Sequence, residues 1–182
     1  MNAAVIVCAA AAALAAVIWL GALDKLRHFA DFETAVEAYR LLPDRWARMF
    51  AVLFVCVEVA AGTLLLFAAG RFAGALMSML AVAIASAAVA VNLFRGYTQI
   101  ACGCGGLAHF SPGLSWWMVA RNAGLLLLGL VVALGANHST GSIAWLDRIT
   151  LFGSAITLVG LYYLANQLID LHLRVQKLRS QT

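Results

Sequence analysis

Residues 99–110 read QIACGCGGLAHF and set Cys102 and Cys104 two positions apart, with Gly103 between them and Gly105 and Gly106 behind. A pair this close can form a disulfide only through a small ring with unusual backbone angles, and Gly103 supplies that freedom. A strained disulfide is more oxidising and more open to thiolate attack, which suits exchange rather than bracing. The start of a following helix would favour the thiolate through its exposed N–H groups. The first reading is therefore a redox-active dithiol. In a second, both thiolates bind a soft metal with His109 as a third ligand. Thiolates select Cu(I) or zinc, but a closed zinc site uses four ligands and this stretch offers three. In a third, the thiols are structural or inert.

Glu58 is the other residue that demands a chemical account. It lies in FVCVEVAAG, the middle of an apolar run. A carboxylate in hydrocarbon must be paired, protonated or turned toward water, and it marks a functional candidate. Arg121 is the expected partner and Lys25 the alternative, with Asn92 and Asn122 placed to join the same polar cluster. Hydrogen-bonded locking of helices is an equal reading. Cys8 and Cys56 fall inside apolar runs and are expected to act as small buried hydrophobes. His28, His109 and His138 lie near interfaces and carry no signal singly.

The elements that must hold these groups follow from composition. Of 182 residues 64% are hydrophobic and 11% charged, with mean hydropathy +0.94. Soluble domains are about 45–50% apolar and about 25% charged. Too little polar surface remains to cover a soluble core, so the chain belongs in a membrane. The net charge of +4 is read through its placement around spans. Basic residues are not interleaved with aromatics as nucleic-acid binding requires, and no nucleic-acid partner is expected.

A span needs roughly 20 mostly apolar residues. Five segments qualify, at about 3–23, 46–69, 72–94, 116–136 and 149–169, all expected to be helices. The first lacks a leading basic residue and is too long for a signal peptide, so it is read as a retained span. The expected architecture is an all-α, polytopic bundle of four to five spans forming a single domain over residues 1–182. Trp19, Trp46, Trp116, Trp117 and Trp145 are placed near span ends. Gly70 and Arg71 mark a tight hairpin between the second and third spans, and Gly70 with Gly74 gives one weak GxxxG spacing. In the first loop, Phe29, Phe32, Val36 and Tyr39 recur at steps of three and four and predict a short amphipathic helix. Asp31 would cap its start and Pro43 would stop it. Such a helix either lies on the membrane or caps the bundle mouth.

The run GALDKLRHFADFETAVEAYRLLP, Glu58, CGCGG and WWMVARNAGLLLL, in that order, resembles the MauE family of methylamine-utilization proteins, related to the DoxX-like group of small membrane proteins. The resemblance covers roughly Gly21 to Leu130. It rests on Lys25, the YRLLP of residues 39–43, Cys102 with Cys104, and Arg121-Asn122. Where the family pattern is CGCFG this chain has Gly105 in place of the phenylalanine, which keeps the dithiol and alters its packing. The resemblance implies a part in maturing the disulfide-rich small subunit of periplasmic methylamine dehydrogenase, alongside a thioredoxin-like MauD-type partner. It also implies a membrane thiol–disulfide oxidoreductase, with a membrane quinone as the cofactor to look for. The bundle with cysteines at its mouth also looks like vitamin K epoxide reductase, by fold-level analogy alone.

Three functions stand against one another. The favoured one is a thiol–disulfide relay through Cys102 and Cys104, in which the first-loop helix guards the mouth and Glu58 and Arg121 hold the bundle or handle protons. The second is a non-catalytic scaffold for processing or export of the small subunit. The third is a carrier for a small solute or a metal with Glu58 in its path. A bacterial inner-membrane location is expected, and here two signals conflict. Ten basic residues fall on the side of the Cys-Gly-Cys loop and only Arg71 and Arg148 on the other, which by the positive-inside rule makes that loop cytoplasmic. A periplasmic relay needs the opposite face, because cytosolic thiols are kept reduced. The periplasmic face is favoured on the implied function.

Overall fold

The computed structural model describes residues 3–97 and 114–136, together with 153, 156–157, 159–164, 167–168 and 171. Among the described residues the chain is helical, without strands. Four long helices, α1 (Ala3–Arg27), α3 (Asp44–Leu66), α4 (Arg71–Phe94) and α5 (Trp116–Gly135), alternate with a short α2 (Phe29–Ala38) and a 3₁₀ turn (Ala68–Gly70). All four long helices are apolar and long enough to cross a membrane. The all-α polytopic bundle is thus present, with four candidate spans. The segment expected at about 149–169 lies only partly within the described residues, and those described there are helical.

The bundle closes as a ring in which α1 packs on α3 and α5, and α4 packs on the same two from the other side. Lipid offers no hydrophobic drive between helices, so close packing of small side chains must hold them. Alanine-rich α1 meets that requirement. Ala10, Ala11, Leu14, Ala15 and Ile18 form the central core with Leu65 of α3, Ala75 and Val82 of α4 and Val132 of α5. The α3–α4 hairpin turns through Phe67 and the 3₁₀ segment. A Cβ at Gly74 would lie 2.7 Å from the Leu65 backbone nitrogen and 3.0 Å from the Ala61 carbonyl oxygen, so here the two backbones touch and only glycine fits.

Helix α1 runs to Arg27, past its expected end, and the half-buried Trp19 packs against Gly62 of α3. The first-loop helix forms, but its ends differ from expectation. Its N-cap is His28, without a side-chain cap, and Asp31 sits inside the first turn. The reason is continuity: α1 leads straight into α2, with the His28 N–H bonding to Asp24 and the Phe32 N–H to His28. The helix stops before Pro43, where Arg40 turns left-handed at φ 49°, a common way to end a helix. Pro43, in extended conformation, is instead the N-cap of α3.

The α2 stripe faces inward. Phe32 and Val36 pack with Ala47, Ala51, Phe54 and Val55 of α3 and Ala81 of α4. Tyr39 packs where Val89 of α4 meets Leu114 and Met118 beside α5. Helix α2 is therefore a cap over one end of the bundle. At the same end Phe94 and Trp116 meet edge to face, centroids 5.0 Å apart, so the end of α4 and the start of α5 are held together on either side of residues 98–113.

Candidate functional site

Behind the α2 cap lies a cavity of about 400 Å³ bounded by α1, α2, α3, α4, α5 and Tyr162. Its polar centre is Lys25. The ammonium lies 2.8 Å from Glu58 Oε1 and 2.9 Å from Oε2, and both residues are buried. Helix geometry brings them together. The first turns of α3 run beside α2, which places Glu58, further along, level with the end of α1. Side chains tilt toward the N-terminus of their helix, so Lys25, near the C-terminal end of α1, reaches back into the bundle beside Gly21. The rings of Phe32 and Phe54 flank the ammonium at 5.6 and 5.5 Å from their centroids. A cation over aromatic faces gains further electrostatic stabilisation when desolvated.

The expected pairing of Glu58 with Arg121 is therefore corrected: Lys25 is the partner. Arg121 sits five residues into α5, so the same tilt carries its side chain toward the helix start. There its Nε and Nη2 donate to Asn122 Oδ1 at 3.3 and 3.1 Å, and its guanidinium lies 5.5 Å from the centre of the Tyr162 ring. Both residues still line the cavity, so Lys25, Glu58, Arg121 and Asn122 share one space. Asn92 does not join them. It is fully buried, donates to the Ala88 carbonyl of its own helix at 3.0 Å, and its Oδ1 has no partner among the described residues.

Sequence reasoning placed Tyr39 on the α2 stripe but not in the site. The structure places it in the cavity wall, where burial pushes its phenol above the ordinary range and keeps it a neutral hydroxyl. Phe54 and Tyr162 were likewise not anticipated; an aromatic one helical turn before Glu58 was the available signal for Phe54. Cys8 is buried as expected, whereas Cys56 is exposed on the outer face of α3. Cys102, Gly103, Cys104, Gly105 and His109 lie outside the described residues, and with them both the dithiol and the three-ligand metal reading.

A bundle of apolar spans enclosing a capped cavity with the buried Lys25–Glu58 ion pair defines a polytopic helical membrane protein with an internal site. Residues 2–135 match the family model described as methylamine utilisation protein MauE. Relatives named methylamine utilization protein MauE include that of Paracoccus denitrificans, 34% identical over 161 residues, covering 81% of this chain and 84% of the relative. That of Paracoccus versutus is 36% identical over 160 residues, covering 85% and 82%, and that of Methylophilus methylotrophus is 30% identical over 156 residues, covering 86% and 82%. No solved structure matches. The chain belongs to the MauE family and so to the methylamine utilisation system.

Proposed function

We propose that this chain is the membrane component of methylamine dehydrogenase maturation and acts as a thiol–disulfide relay. Cys102 and Cys104 exchange with a thioredoxin-like MauD-type partner, which in turn oxidises the cysteines of the dehydrogenase small subunit. The observation that carries the reading is the cysteine pair itself, spaced by one glycine within residues 98–113, which join the end of α4 to the start of α5. Packing of Phe94 on Trp116 at the base of that connection supports it, because a dithiol that docks a partner needs a firm footing. Exchange is balanced within the two proteins: the relay disulfide opens to two thiols as the partner's two thiols close to a disulfide. Tyr39 at the end of α2 packs against Val89 of α4 and Met118 of α5, and the Lys25–Glu58 pair fixes α1 to α3.

The relay places the connection on the periplasmic face, and part of the opposing charge count loses its weight. Lys25 is neutralised by Glu58 inside the bundle, and Arg121 is a residue of α5 rather than of a loop. Positive-inside sorting acts through charges in loops.

The test is replacement of Cys102 and Cys104 by serine in methylamine-grown cells, with small-subunit disulfides counted by thiol alkylation and mass spectrometry. The relay predicts an under-oxidised or missing small subunit although the variant reaches the membrane at wild-type level. A scaffold predicts normal maturation in this variant and failure only when α2 is disrupted.

A further inference from the structure

Resting on the relay reading, we infer that the cavity behind Lys25 and Glu58 binds a lipid-soluble quinone, the electron acceptor for the dithiol. Size and shape come first. About 400 Å³ lies within the range of small-molecule sites, and Phe32, Phe50 and Phe54 in its wall present apolar faces to a flat ring.

The polar groups then decide what kind of head the cavity takes. An ammonium has three N–H donors, and Glu58 uses two from Lys25. Asn122 accepts from Arg121 through Oδ1, and its amide N–H groups make no hydrogen bond among the described residues. The Glu58 carboxylate holds the Lys25 ammonium through both of its oxygens. The remaining N–H of Lys25 and the Asn122 amide are donors that suit the carbonyl oxygens of a quinone head. Because Glu58 cancels the charge of Lys25, the head it takes here is neutral.

Access and position agree. Leu41, Leu42, Ile84 and Val91 line the cavity and are also exposed on the outside of the bundle, so a ligand with an apolar tail enters sideways from the hydrocarbon. Val91 of α4 and Arg121 of α5 stand in the same wall, and Cys102 follows Val91 by eleven residues while Cys104 precedes Arg121 by seventeen. In the redox step the two thiols lose two electrons and two protons as the S–S bond forms, and the two carbonyls of the ring become hydroxyls.

The experiment uses the full chain in lipid nanodiscs and two probes, tritiated ubiquinone-1 and a photoreactive azido-benzoquinone, with palmitate as competitor. Expected are saturable binding, photolabel on the peptides of α2 and of α4 around Ala85, at least tenfold weaker binding in Ala85→Phe, and unchanged binding in the Cys102→Ser, Cys104→Ser variant. If Ala85→Phe does not fold, the position of the photolabel in the wild-type protein decides. Photolabel elsewhere, wild-type affinity in a folded Ala85→Phe, or displacement by palmitate but not by unlabelled ubiquinone-1 would overturn the assignment. Binding at the cavity with the thiols of Cys102 and Cys104 left reduced by excess quinone would uphold the site and remove the relay instead.

Discussion

Lys25 and Glu58, thirty-three residues apart, meet inside the bundle with both carboxylate oxygens within 2.9 Å of one ammonium. A buried pair of this kind is unforgiving of half-removal. Taking away one partner strands a charge in a low-dielectric interior and costs about 3–5 kcal/mol, whereas replacing both by apolar residues of similar size is often neutral. Lys25→Met and Glu58→Leu should therefore each lower the thermal midpoint in detergent strongly, and the double variant should recover most of the loss. Additive losses in the double-mutant cycle would contradict a coupled pair.

The α3–α4 hairpin depends on contact between backbones. Gly74→Ala puts a methyl 2.7 Å from the Leu65 nitrogen, where no flexible side chain can yield, and overpacking of this kind costs about 1–3 kcal/mol. Gly124→Ala adds a methyl with nothing within 4 Å and serves as the control. Thermal unfolding should show a clear drop for the first variant and no drop for the second.

Tyr39 makes stability depend on alkaline pH in a defined sense. Burial raises its folded-state pKa above the unfolded value, so its contribution is fully present below about pH 10, the ordinary tyrosine value. That contribution declines above this pH as the unfolded chain alone gives up its proton. Between pH 7 and 9 the difference in thermal midpoint between wild type and Tyr39→Phe should be constant. Above about pH 10 the wild type should lose stability faster than the variant, and parallel curves would show that Tyr39 is not buried as described.

Legibility in the sequence followed what hydrophobicity can and cannot encode. Long apolar runs marked the helices of the bundle, and the spacing of Phe29, Phe32, Val36 and Tyr39 marked α2, because both signals are one-dimensional. Glu58 stood out for the same reason, as a charge within an apolar run. Its partner did not, since choosing Lys25 over Arg121 depends on which way a side chain leans along its helix. The exposure of Cys56 was illegible on different grounds: in a membrane the outside of a helix is as apolar as the inside, so an apolar run does not say which face a residue takes. The start of α2 departs from local capping rules because α1 simply continues through His28, and its end is set by left-handed Arg40 ahead of Pro43.

The central claim is that Cys102 and Cys104 form an oxidised, periplasm-facing pair. Its most direct test labels the two cysteines with a membrane-impermeant thiol reagent in cells whose outer membrane has been permeabilised. Cys8 and exposed Cys56 are first replaced by alanine, and samples are compared before and after mild reduction. The account predicts labelling that appears only after reduction, with the inner membrane intact. Labelling without reduction, or labelling that requires the inner membrane to be broken, would contradict it.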